Sequence, residues 1–127
     1  TAPLLDPIYK PGVSNDALYT NATVALRPGT GELVWYYQHI ANDQWDLDWV
    51  YERHIIELEV DGAMRKLVLT AGKMALYDAV DAATGEYLFS MDMGLQNIVT
   101  TVDSETGAKT ISPDAIPNAE LSHRGRW

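Results

Sequence analysis

The run Trp45-Asp46-Leu47-Asp48 places two carboxylates two residues apart, inside a segment from Ile40 to Arg53 crowded with Asp, Asn and aromatic side chains. In extended backbone that spacing directs both carboxylates to the same side, close enough to share one cation. Hard cations are the natural guests of such oxygens, because Ca²⁺ and its larger trivalent analogues take six or more oxygen ligands in flexible geometry. The chain has no cysteine, which removes disulfides, thiolate nucleophiles and zinc-thiolate sites. His39, His54 and His123 lack the mutual spacing of zinc ligands and read as structural.

Groups of this kind are usually carried on loops held by a rigid scaffold, and the flanking sequence supplies one. A phrase recurs three times: a small residue and an aliphatic, a short polar stretch, Thr-Gly, then an apolar residue four positions after the glycine. The copies are Ala25 to Gly31 with Trp35, Ala79 to Gly85 with Phe89, and Thr101 to Gly107 with Ile111. Each reads as strand, tight turn, strand, since glycine can adopt positive φ and the flanking Asp, Thr and Ser can bond the turn backbone. The first two copies lie further apart than the roughly 40 to 45 residues of a four-stranded propeller blade, and the last two about half a blade apart. The long interval therefore carries an insertion, Ile40 to Arg53, and the short one joins two hairpins of adjoining sheets.

Along the chain, residues 1 to 17 are rich in Pro, Gly, Asn and Asp and read as a surface loop. Leu18 to Leu26 and Glu32 to His39 make the first hairpin. Ile55 to Val60 and Arg65 to Thr70 pair across Asp61-Gly62, a strong hairpin signal. Met74 to Val80 pairs with Glu86 to Met91, and Leu95 to Val102 with Lys109 to Ile111. No window sustains helical periodicity, so the chain reads as all-β, with antiparallel hairpins turning near Gly31, Gly62, Gly85 and Gly107 and almost no helix.

The net charge is −9 and Lys and Arg are unclustered, which leaves nucleic acid without a basic patch to bind. No apolar run approaches the roughly 20 residues that span a bilayer. The chain opens on Thr1, and its tail from Leu121 to Trp127 has no strand pattern, so it reads as a piece of something longer.

The phrase with Thr-Gly and a later aromatic, Asp16-Ala17-Leu18-Tyr19-Thr20, Val24-Ala25-Leu26, Thr30 to Gln38 and the loop Asn42 to Asp48, in this order, resemble the tryptophan-docking repeat of quinoprotein alcohol dehydrogenases. These are eight-bladed β-propellers that bind pyrroloquinoline quinone (PQQ) and a metal. The resemblance runs from about residue 12 to residue 90 and implies that residues 1–127 are a partial propeller domain of about two blades. By motif position Asp46 matches the catalytic base and a metal ligand, and Asp48 the extra carboxylate of members that use a lanthanide rather than Ca²⁺. Lys73 matches the cation that bonds the quinone oxygens, and Trp35 and Phe89 the aromatics wedged between blades. Arg27 stands where the repeat usually has Asp, Leu47 where an aromatic is common, and Met74-Ala75 where many members have Asn-Gly.

The implied function is part of a periplasmic quinoprotein that oxidises a primary alcohol by hydride transfer to PQQ with metal assistance and passes electrons to a cytochrome c, the piece being inactive alone. Alcohol oxidation needs a base for the hydroxyl proton beside an electrophilic acceptor, so Asp46, Asp48 and Lys73 are expected to converge at one end of the sheets. The alternative is a non-catalytic propeller with the same repeat, such as an assembly scaffold for outer-membrane proteins. A scaffold has no use for a carboxylate pair and an ammonium meeting at one point.

Overall fold

The computed structural model describes residues 16–116, so the expectations for residues 1–15 and for the tail lie outside the described residues. Eight strands run in chain order: β1 (Ala22–Leu26), β2 (Leu33–Gln38), β3 (His54–Val60), β4 (Ala63–Ala71), β5 (Leu76–Asp81), β6 (Tyr87–Asp92), β7 (Val99–Val102) and β8 (Lys109–Ile111). The one helical piece among the described residues is a 3₁₀ turn at Pro113–Ala115. All pairings are antiparallel and sequential: β1-β2, then the four-stranded β3-β4-β5-β6, then β7-β8. One complete four-stranded sheet is thus flanked by two hairpins. The second and third repeat phrases do fall in different sheets.

The repeat phrase folds alike each time. The backbone closes Arg27 N–H to Glu32 O and Gly31 N–H to Arg27 O, and the same pair of bonds recurs at Asp81 and at Asp103. Asp81 and Asp103 also accept, through Oδ1, two following backbone N–H groups and the Thr hydroxyl, the local bonding that makes Asp a turn residue. Arg27 cannot do this, and its guanidinium pairs with Glu32 at 3.1 Å instead. The Asp61-Gly62 turn has both residues at positive φ, 52° and 79°, the mirror-image turn that suits strand twist.

Three strands start two or more residues later than expected, β7 among them at Val99 rather than Leu95, where Gln96 Oε1 takes the Ile98 and Val99 N–H groups. Residues 17–20 close a turn, Thr20 N–H to Ala17 O, so β1 begins at Ala22. Gly72 and Ala75 close another, so β5 begins at Leu76.

Besides the apolar core, the sheets meet through two kinds of contact. Trp35 on β2 lies across the second repeat turn, its indole N–H donating to Ala82 O at 3.2 Å. A Cβ at Gly85 would stand 2.7 Å from that ring, so only glycine lets the indole sit down on the turn. Phe89, half-buried, lines a cleft of about 420 Å³ between the second and third sheets.

The other contact is a buried polar cluster. The Asp78 carboxylate on β5 accepts from His39 Nδ1 at 2.8 Å, Ser90 Oγ at 2.6 Å and Lys109 Nζ at 2.9 and 3.1 Å. His39 Nε2 meets the Thr23 hydroxyl at 2.8 Å, and the ring stacks on Trp49. Burial lowers the His39 pKa against the pull of its Asp78 hydrogen bond. The ring is therefore neutral, donating from Nδ1 and accepting at Nε2. Burial alone would raise the Asp78 carboxyl, but His39 and Lys109 outweigh it and hold it below the usual range. Thr23, Asp78 and Lys109 come from three different sheets.

The apolar core sits beneath the insertion. Ile40, Trp45, Leu47 and Trp49 pack with Met74, Leu76, Ile98, Val99 and Ala115. Outward faces are apolar as well: Val24, Leu26, Val34 and Tyr36 on the first sheet and Ile55, Leu58 and Met64 on the second are exposed.

Candidate active site

The loop between β2 and β3 alternates. Trp45, Leu47 and Trp49 are buried, while Asp46 and Asp48 point outward with side chains 64% and 19% exposed. The backbone there is not extended, contrary to the sequence-based premise: Asp46 and Asp48 both take positive φ, 60° and 45°. Asp is among the few residues other than Gly that visit this region. The outcome for the side chains is the same, since both carboxylates reach one ammonium.

That ammonium belongs to Lys73, in the turn between β4 and β5. Its Nζ lies 2.6 Å from Asp48 Oδ2 and 3.2 Å from Asp46 Oδ2, and it donates to the Asp46 carbonyl at 2.8 Å. The Lys73 backbone N–H donates to Leu47 O at 2.9 Å, and the Trp49 ring lies flat against Gly72, where a Cβ would stand 2.7 Å away. The Lys73 hydrogen bond holds the Asp48 carboxyl below its usual range, and Asp48, with Asp46 behind it, raises the Lys73 ammonium. The structure thus brings all three sequence-predicted residues together.

Two residues that sequence reasoning missed support the loop from inside. Asp43, fully buried, accepts the Trp45 N–H at Oδ1 (2.9 Å) and the Leu47 N–H at Oδ2 (2.8 Å). Asn21 donates to Asp43 Oδ2 at 2.6 Å and accepts the Trp49 N–H at 3.2 Å. The spacing Asp43-x-Trp45 is the signal for the first of these bonds, because Asp side chains cap the N–H two residues on. Nothing local in sequence points to Asn21.

Beside Lys73 opens a cleft of about 350 Å³ lined by Tyr51, His54, Thr70 and Tyr77 among others. Thr70 Oγ1 on its wall is buried with no hydrogen-bond partner among the described residues. Two carboxylates meeting at one cationic group, next to a polar cleft, suit part of a hard-cation and polar-ligand site. Among the described residues no cluster of three acidic or histidine side chains completes a metal shell.

Residues 9–113 match the PQQ family, described as the beta-propeller domain of glucose, ethanol and alcohol dehydrogenases. The chain belongs to that family. This PQQ-family chain is 32% identical over 108 residues to the dehydrogenase subunit of the quinone alcohol dehydrogenase of Komagataeibacter europaeus, a match covering 85% of this chain and 15% of that one. It is 34% identical over 109 residues to the 1-butanol dehydrogenase (cytochrome c) of Thauera butanivorans, covering 86% and 16%. The solved quinohemoprotein alcohol dehydrogenase ADHIIG of Pseudomonas putida HK5 superposes with a TM-score of 0.73 at 33% identity, over 76% of this chain and 14% of that one. The chain thus spans 14% to 16% of the length of these relatives. No helix among the described residues is long and apolar enough to cross a membrane.

Proposed function

We propose that this PQQ-family chain forms part of a periplasmic quinoprotein that oxidises a primary alcohol with PQQ and a bound metal and reduces a cytochrome c. The single observation that carries the reading is the meeting of Asp46, Asp48 and Lys73 within 2.6 to 3.2 Å at one ammonium. PQQ would supply the electrophilic acceptor of the hydride and the metal a Lewis acid beside it. Asp46 is the base: its exposed carboxylate takes the hydroxyl proton of an alcohol placed in the adjoining space. Asp48 and Asp46 are the metal ligands this chain contributes. Lys73, tethered by its backbone to the Asp46–Asp48 loop, offers its ammonium to the oxygens of the quinone edge. The uncovered apolar faces of the first two sheets support a place within a longer propeller, where neighbouring repeats cover them.

Asp48 adds a second negative charge to the metal position, and attraction scales with the product of charges, so a trivalent lanthanide is favoured over Ca²⁺. The test is reconstitution of the metal-free, full-length protein with PQQ and either ion, read as alcohol-dependent reduction of cytochrome c. Wild type is expected to be more active with a light lanthanide, Asp48→Ala to lose that preference, and Asp46→Asn to lose turnover with both ions. Turnover retained by Asp46→Asn would refute the base assignment. Full activity with Ca²⁺ and none gained from lanthanide would refute that of Asp48.

A further inference from the structure

We propose that Asn21 and Asp43 are positioning residues for this site: the buried Asp43 carboxylate is the template on which the 45–49 loop folds, and Asn21 ties that template to the first hairpin. The inference rests on reading Asp46 as the base and adds what holds it in place. The loop needs such a support. Asp46 and Asp48, one residue apart, both sit at positive φ, a region unfavourable to a residue with a Cβ.

The hydrogen bonds answer that need residue by residue. Asp43 takes the N–H before Asp46, that of Trp45, and the N–H after it, that of Leu47. Asn21 takes the next alternate N–H, that of Trp49, just past Asp48. Every second amide is gripped from the inside, and the two carboxylates between them are left to face Lys73. Asn21 and Asp43 are joined directly, and both are buried, which shields these bonds from exchange with water. Asn21 is fixed in turn at the foot of β1, where its carbonyl accepts the His39 N–H at 2.9 Å. Among the described residues the Lys73 ammonium bonds Asp46 and Asp48, and neither Asn21 nor Asp43 lines the cleft, so their action is through the backbone of the loop.

The test is Asp43→Asn in the full-length protein. Asn keeps the size but turns an NH₂ toward either the Trp45 or the Leu47 amide. In metal-free protein, hydrogen exchange of the 44–49 backbone is expected to quicken by about tenfold or more, with β4 and β5 unchanged. In reconstituted protein kcat is expected to fall by about tenfold to a hundredfold, with KM for the alcohol within about twofold. The double exchange Asn21→Asp with Asp43→Asn rebuilds the link between the two side chains but still abandons one loop amide. It is expected not to rescue kcat, and rescue would overturn the proposal by reducing the pair to a simple tie. Should Asp43→Asn lose protection throughout the protein, Asn21→Ala, which frees the Trp49 amide, carries the test in its place. Asp46→Asn is the control. If it keeps turnover, the base assignment fails whatever Asp43 does. If it is inactive while the variant under test exchanges and turns over like wild type, the positioning role is overturned and the base assignment stands.

Discussion

Gly85→Ala probes the contact that seats one sheet on the next, and Gly31→Ala supplies its internal reference. Both glycines are at positive φ, 75° and 72°, so either substitution incurs the left-handed strain of a residue with a Cβ, about 1 kcal/mol or slightly more. They differ in what the new methyl meets: nothing within 4 Å at Gly31, but the Trp35 indole at 2.7 Å at Gly85. The ring must lift, which forfeits its hydrogen bond to Ala82 O, about 1 kcal/mol, and about as much again in apolar contact. The excess of Gly85→Ala over Gly31→Ala is therefore about 2 kcal/mol, or about 30-fold in a local opening equilibrium. Native-state hydrogen exchange of β2 in the full-length protein reads it directly. Equal acceleration by the two substitutions would mean that the indole can slide aside without loss, and the docking argument would fall.

Two further outcomes are expected. Ala75→Gly, at a position with φ 55° next to Lys73, should raise the denaturant midpoint by an amount equivalent to about 0.5 kcal/mol, because relief of the left-handed strain exceeds the entropy cost of glycine; a lowered midpoint would contradict the strain assigned there. The folded-state pKa of His39 is lowered by burial, so below the ordinary imidazole value the unfolded chain binds more protons and stability falls as pH drops from about 6.5. His39→Asn, which can still donate to Asp78, should flatten that slope between pH 7 and 5 in thermal melts, and an unchanged slope would assign the dependence to other groups.

Sequence patterns revealed the hairpins because each turn is written locally: Asp and Thr bond the backbone of their own turn, and Asp61-Gly62 supplies both positive φ angles. They also revealed Asp46 and Asp48, although for a partly mistaken reason, since the loop reaches its alternating display through left-handed aspartates rather than an extended strand. Two things were not legible. The segment from Ile40 to Arg53 reads in sequence as a polar and aromatic loop, yet Trp45, Leu47 and Trp49 belong to the buried core, because period-two burial hides every other side chain even outside a strand. The Asp78 cluster and the Asn21 grip join residues up to 39 positions apart, and pairing at that distance leaves no periodicity to read.

A chain of look-alike hairpins has a sorting problem, since its Thr-Gly turns share one backbone bonding pattern and differ in what rests on them, Trp35 at Gly85 and Tyr37 with Tyr87 at Gly107. The buried Asp78 cluster is not interchangeable in this way. Set against a sheet without Lys109 or His39, Asp78 would be a buried charge lacking its partners, at a cost of several kcal/mol. The aromatic contact on a turn thus acts as a general fastener and the cluster as a key cut for particular neighbours. Recombining hairpins from related propellers should therefore tolerate swaps of the fastener but fail, by misordered assembly, when the hairpin set against Asp78 lacks His39 or Lys109.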